Sequence, residues 1–125
     1  MDNSEFYKWF DSISLKLGVR KNSFSQIFKY LDNIPDPIII VETGCLRIKN
    51  NYSDGQSTLL FDKYTQFRGK SSKVYTVDID ANATKVCSEN VSENVSITTG
   101  DSVKYLNNLS KEFIENKTDV ALFYL

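Results

Sequence analysis

The sequence predicts an α/β fold, a three-layer sandwich with a parallel sheet of about four strands, preceded by two helices. Strand and helix patterns alternate strictly from residue 38 onward, which favours right-handed crossovers and a mostly parallel sheet. The first strand segment, residues 38–41, is apolar at every position, as expected of a central strand buried on both faces. The chain has 125 residues, of which 41% are hydrophobic and 25% are charged. These values indicate one ordinary globular domain with a modest core.

Two helices are predicted before the sheet, in a helical segment that covers residues 1–35. Apolar side chains recur at helical spacing over residues 4–17, and Gly18 is the predicted end of this first helix. A second helix is predicted over residues 23–31, with Ser23 as its N-cap. Both prolines lie in residues 33–37, which therefore form a connector. The apolar positions of the two helices are Phe6, Trp9, Phe10, Ile13 and Leu17, then Phe24, Ile27, Phe28 and Leu31.

Four strands and three further helices are predicted after the connector. The strands cover residues 38–41, 74–77, 95–98 and 120–125. Helices fill the three gaps, and the second and third begin at Asp80 and Asp101, which are candidate N-caps. The predicted apolar positions are Leu59, Leu60 and Phe67 in the first of these helices, and Val103, Leu106, Leu109, Phe113 and Ile114 in the third.

The composition excludes several classes of function. The chain has no histidine, which removes histidine general bases, histidine-dependent triads and histidine metal ligands. Two cysteines, Cys45 and Cys87, cannot build a zinc site alone, and no metal site is predicted. A net charge of −1 argues against a nucleic-acid partner. No apolar run has the length of a signal peptide or a membrane span, so we expect a cytoplasmic protein without membrane association.

The first three strands each end near an acidic residue. Ligands of open α/β sheets bind beyond the carboxyl ends of the strands, so these ends are the candidate site. An acid such as Asp78 can accept two hydrogen bonds from a ribose diol, and Asp101 can accept one from an adenine amino group. Ile79 can cover one face of that adenine. The candidate residues are Glu42, Thr43 and Gly44 after the first strand, Asp78 and Ile79 after the second, and Asp101 and Ser102 after the third.

The start of the helix that follows the first strand belongs to the same candidate site. Gly55 and Ser57 lie there, where unpaired N–H groups attract negative charge. Gly44 permits a turn that other residues disfavour and lets a ligand approach the main chain.

These stretches, residues 41–45 with 54–58, 77–80 and 100–102, resemble the class I S-adenosylmethionine-dependent methyltransferases. The resemblance implies a Rossmann-like fold, S-adenosylmethionine as cofactor and a small-molecule methyl acceptor, such as a sugar or a small metabolite. It implies that Glu42 and Gly44 lie against the amino acid part of the cofactor and that Asp78 binds the ribose. Asp101 with Ser102 would then read the adenine.

The resemblance also implies a chain that holds only part of the family fold. That fold has seven strands, ordered 3-2-1-4-5-7-6, and four are predicted here. Residues 36–125 are therefore expected to be the cofactor-binding half of a methyltransferase domain. The apolar, uncharged fourth strand would expose an open edge, which invites pairing, so we expect a homodimer through this edge.

Two alternatives stay open. A nicotinamide-dependent Rossmann enzyme shares the ribose-binding acid, but it requires a GxGxxG turn, and the sequence after Gly44 lacks the second and third glycines. A non-catalytic α/β interaction module would keep the fold while the acids, such as Asp80 and Asp101, serve only as helix caps.

Overall fold

The computed structural model describes residues 4–45, 56–69 and 71–125. A 3₁₀ helix, Ser14–Leu17, continues the first α-helix. The strands of the described part are β1 (Ile39–Thr43), β2 (Lys73–Asp78), β3 (Val95–Thr99) and β4 (Leu122–Tyr124). Its α-helices are α1 (Ser4–Ile13), α2 (Arg20–Asp32), α3 (Ser57–Arg68), α4 (Ala81–Asn90) and α5 (Ser102–Glu115). Among these helices, none has the length and apolar character needed to cross a membrane.

The four strands form one parallel sheet in the order β3-β2-β1-β4. Val41 lies opposite Tyr75 of β2 and Phe123 of β4, so β1 is a central strand. Its residues Ile40 and Val41 are fully buried, in agreement with the continuous apolar run in the sequence. The predicted α/β class and the parallel sheet of four strands are confirmed.

One face of the sheet is covered by α1, α2 and α3, which share a single aromatic core. The Phe6 ring lies 4.7 Å from the ring of Phe28 and 5.1 Å from that of Tyr64, measured between centroids. This cluster also contains Ile40 of β1 and Val74 of β2. The N-terminal helices therefore pack directly on the sheet.

The opposite face of the sheet is covered by α5. Leu109 and Phe113 of this helix pack against Ile39 and Val41 of β1. Helix α4 packs on the first face, where its residues Ala83 and Cys87 lie in a small cluster with Ile97 of β3. Helices thus lie on both sides of the sheet, as the predicted three-layer sandwich requires.

A network of polar side chains fastens the end of α2 to α3. The Arg68 guanidinium, which is 5% exposed, donates to the Leu31 carbonyl oxygen at 2.7 Å and to Asp36 Oδ1 at 2.9 Å. Tyr64 donates its hydroxyl to Asp32 Oδ1 at 2.6 Å. These bonds satisfy carbonyl groups at the end of α2 and fix the connector that leads into β1.

Two helix predictions need correction. Helix α2 begins at Arg20 with Val19 in the N-cap position, so Ser23 lies inside the helix and is not its cap. In α3 the predicted Leu60 is fully buried in the core and the predicted Phe67 packs against it, but Leu59 is not part of this cluster. The sequence pattern does not predict Phe61 and Tyr64, which are fully buried in the same core.

The apolar face of α5 is narrower than predicted. Val103 is 66% exposed and Ile114 is 76% exposed, because α5 packs on the sheet through Leu109 and Phe113, with Leu106 and Tyr105 partly buried beside them. On β4, Phe123 is 59% exposed, and this strand pairs only with β1 within the described residues. Dimerisation through the β4 edge stays a prediction.

Candidate functional site

The carboxyl ends of β1, β2 and β3 enclose a cleft of about 360 Å³. Six of the predicted site residues meet there, together with Val77 and Gly100. The six residues are Thr43, Gly44, Asp78, Ile79, Asp101 and Ser102. The parallel register brings these strand ends to one edge of the sheet, as the sequence predicts.

Gly44 forms the turn at the end of β1. Its φ angle is 81°, a backbone conformation that residues with a Cβ atom rarely adopt. Its N–H donates to the Val77 carbonyl oxygen at 2.8 Å, which ties the turn to β2. A Cβ atom at this position would meet nothing within 4 Å, so the conformation rather than crowding selects glycine.

Asp78 combines a place in the cleft with a structural role. Asp78 is buried, with 7% of its surface exposed. Asp78 Oδ2 accepts the Cys45 N–H at 3.2 Å, and Oδ1 accepts the Asp80 N–H at 2.9 Å. The carboxylate therefore joins the turn after β1 to the turn after β2, and its orientation is fixed by two backbone donors.

Asp80 and Asp101 are both helix N-caps, as predicted. Asp80 Oδ1 accepts the Asn82 N–H at 2.9 Å at the start of α4. Asp101 Oδ2 accepts the Lys104 N–H at 2.9 Å at the start of α5. Only Asp101 of these two lines the cleft, where it is exposed beside Ser102.

Ile79 projects from the turn after β2. It is 78% exposed, although it is a large apolar residue, and it lines the cleft next to Asp78. The cleft therefore presents an apolar surface next to a fixed hydrogen-bond acceptor.

Glu42 lies behind the cleft rather than in its lining. Its carboxyl is fully buried and accepts hydrogen bonds from three hydroxyls, which we call the hydroxyl cage. Thr58 Oγ1 donates to Glu42 Oε1 at 2.5 Å, Thr76 Oγ1 donates to the same oxygen at 2.8 Å, and Ser57 Oγ donates to Oε2. The structure thus brings the predicted residues Glu42 and Ser57 together, but in a cluster that is separate from the cleft lining.

Thr76 is the member of the hydroxyl cage that sequence reasoning missed. It lies opposite Glu42 in the β1–β2 register, so both side chains point to the same face of the sheet. The sequence places Thr76 inside an apolar strand, and only the register identifies its partner.

Burial dominates the acidity of Glu42. It raises the pKa of this carboxyl from 4.5 to about 7, and the nearby negative charge of Asp78 adds to the rise. The three hydroxyl donors act in the opposite direction, because they stabilise the ionised form. Near neutral pH, Glu42 is therefore poised between its protonated and ionised forms.

Glu42 also occupies the N-terminal end of α3. Ser57 and Thr58, the first two residues of this helix, both direct their hydroxyls to its carboxyl. The partial positive charge of the helix terminus therefore already faces an acidic group of the chain itself. Gly55, the other residue predicted at this position, lies outside the described residues, as does most of the loop that precedes α3.

The two cysteines are not suited to nucleophilic chemistry. Cys45 and Cys87 are buried in one small cluster. A hydrogen bond with the Cys87 thiol and burial both raise the pKa of Cys45 well above its usual value. Its thiol therefore stays protonated at neutral pH. Within residues 4–45, 56–69 and 71–125, no group of three or more candidate ligands could hold a metal ion.

Comparison with known proteins gives no match to a family model, a curated protein or a solved structure.

Proposed function

We propose that this chain is the cofactor-binding part of an S-adenosylmethionine-dependent methyltransferase. The observation that carries the proposal is the cleft at the carboxyl ends of β1, β2 and β3, which gathers Gly44, Asp78, Ile79 and Asp101. In this proposal, Asp78 accepts hydrogen bonds from the ribose hydroxyls and Ile79 covers the adenine. Asp101 accepts a hydrogen bond from the adenine amino group through an oxygen that Lys104 does not use.

The N-terminus of α3 favours a ligand without phosphate groups. In dinucleotide-binding folds a pyrophosphate lies on the first helix terminus after β1. Here the Glu42 carboxyl occupies that position through Ser57 and Thr58. A pyrophosphate would meet an acidic group there, whereas S-adenosylmethionine carries no phosphate. This argues against the nicotinamide alternative, as does the missing glycine pattern after Gly44.

Methyl transfer makes modest demands on the protein. The cofactor supplies an activated methyl group, and the protein has to hold and orient the two reactants. The absence of histidine is therefore compatible with this chemistry. The acceptor proposed is a small molecule, such as a sugar or a small metabolite.

A non-catalytic interaction module is the second candidate, and one observation favours it. Asp78, Asp80 and Asp101 each accept hydrogen bonds from backbone N–H groups of this chain. Each acid thus has a structural role that needs no ligand.

Thermal unfolding with added ligands tests the proposal. A ligand at 100 times its dissociation constant adds about 2.7 kcal/mol of stability. We expect S-adenosylhomocysteine and S-adenosylmethionine to raise the melting temperature and NAD to leave it unchanged. A folded protein that responds to none of the three would support the interaction module, and a response to NAD alone would support the nicotinamide enzyme.

A further inference from the structure

The Glu42 carboxyl is fully buried among hydroxyl donors. Within the part of the chain that the structure describes, neither a lysine nor an arginine forms an ion pair with it. Helix α3 contributes the cage hydroxyls of Ser57 and Thr58 and the partial positive charge of its N-terminus. Among the described residues, the titratable groups around Glu42 are the Asp78 carboxyl on β2 and the Cys45 thiol, and Tyr124 lies opposite in register on β4.

The Glu42 carboxyl lies close to the cleft although it does not line it. Thr43, the next residue, lines the cleft, as does Asp78. The negative charge of Asp78 is near enough to act on the Glu42 carboxyl through the intervening protein, which is a poor screening medium. A positive charge bound in the cleft will act on the same carboxyl with the opposite sign.

We propose that Glu42, held by its hydroxyl cage, is a specificity-determining residue that selects a cationic ligand over its neutral counterpart by losing its proton when the cation binds. The inference rests on the proposed function, in which the cation is the sulfonium S-adenosylmethionine and the counterpart is S-adenosylhomocysteine, the product without that charge. Only the O–H bond of the carboxyl breaks, and the proton passes to the solvent.

The size of the effect follows from the protonation of Glu42. With its pKa raised to about 7, about half of the molecules carry the proton at pH 7. The apparent affinity of a ligand that requires the ionised form is proportional to the ionised fraction, so the affinity for S-adenosylmethionine should rise about tenfold between pH 6 and pH 8. At pH 7 roughly half a proton should be released for each ligand bound.

Titration calorimetry at pH 6, 7 and 8, in buffers of different ionisation enthalpy, measures both quantities. The proteins are the original chain, Glu42→Gln and the control Glu89→Gln, which changes an exposed acid on α4. Comparing variants with the same ligand cancels the titration of the ligand itself. We expect the tenfold rise and the proton release in the original chain and in Glu89→Gln, and their loss in Glu42→Gln. S-adenosylhomocysteine should show a clearly smaller pH dependence.

Thr76→Val provides a second test that keeps Glu42 in place. It removes one cage hydroxyl that stabilises the ionised carboxyl, so the midpoint of the pH profile should move to higher pH. A purely structural role of Glu42 would not shift this midpoint.

The outcomes separate this inference from the proposed function. The original chain and Glu42→Gln could both bind S-adenosylmethionine tightly and with the same pH profile. That result would overturn the inference and leave the proposed function standing. An unchanged midpoint in Thr76→Val, or equal pH dependence for the two ligands, would also overturn it. Binding of neither ligand would overturn both.

Discussion

At the scale of the residue, two carboxyl groups at neighbouring strand ends have different environments. Glu42 is fully buried among hydroxyls, whereas Asp78 is held by backbone N–H groups at the edge of the cleft. Hydroxyls reduce the cost of burying a charge, but they do not remove it when water is excluded. Glu42 therefore responds to pH near neutrality, and Asp78 provides a fixed acceptor.

Glu42 should make stability fall as pH rises. The folded chain keeps this proton up to about pH 7, whereas the unfolded chain loses it near 4.5. Between these values the unfolded state is increasingly favoured, by about 1.4 kcal/mol for each pH unit and about 3 kcal/mol in all. Glu42→Gln lacks this contribution. Denaturant unfolding at pH 4.5 and 7.5 should show the original chain losing about 3 kcal/mol relative to the variant, and a constant difference would contradict the account.

Asp78→Asn should weaken nucleoside binding more than it weakens the fold. The amide keeps an oxygen for one backbone donor but loses the charge, and hydrogen bonds to charged groups are worth about 1.5–3 kcal/mol each. We expect the affinity for S-adenosylhomocysteine to fall at least tenfold in calorimetry. Asp80→Asn, which changes the adjacent acid outside the cleft lining, is the matched control and should bind normally. Equal affinities of the two variants would exclude Asp78 from ribose binding.

At the level of helices and strands, the sequence predicts which elements are present better than it predicts where they begin and how they pack. The alternation of patterns identifies all four strands, and Asp80 and Asp101 correctly mark the starts of α4 and α5. Ser23 is misleading, because a serine can also lie inside a helix, as it does in α2, which begins at Arg20. The partner of Glu42 on β2 depends on strand register, which no local pattern contains.

Asp101 allows capping and binding to be measured separately. Asp101→Ala removes the N-cap of α5 and should cost about 1 kcal/mol of stability, whereas Asp101→Asn keeps a capping oxygen and should cost little. Both variants should bind adenosine more weakly, the asparagine variant by less than tenfold, because its amide oxygen can still accept. Asp80→Ala is the control that loses a cap on α4 but should retain normal adenosine affinity. Normal affinity of Asp101→Ala would show that Asp101 is only a cap.

At the scale of the whole molecule, the N-terminal helices and the sheet share one core. The cluster around Phe6 reaches from α1 through α2 and α3 to β1, so α1 and α2 share the core of the sheet. The sequence indicates the helices, but it does not reveal that their rings meet on one face of the sheet. That contact depends on tertiary packing, which composition and spacing leave open.

Phe6→Ala tests this shared core. Truncating a fully buried phenylalanine costs about 3–5 kcal/mol, because it removes buried surface and leaves a cavity. Leu15→Ala changes a side chain that is 90% exposed and should stay within about 0.5 kcal/mol of the original stability. We expect far-UV circular dichroism to show a single cooperative unfolding transition, which shifts for Phe6→Ala and not for Leu15→Ala. Two separate transitions would contradict a shared core.

We propose that the cleft at the carboxyl ends of the strands binds an adenosine-type ligand. The decisive experiment is a titration of the ¹⁵N-labelled chain with S-adenosylhomocysteine, followed through backbone amide shifts. We predict saturable shifts at Gly44, Ile79, Gly100 and Ser102, which line the cleft. The larger cavity at the amino end of the sheet, about 670 Å³ and lined by Lys73 among others, should stay unperturbed. Shifts confined to that cavity, or no saturable shift at all, would contradict the account.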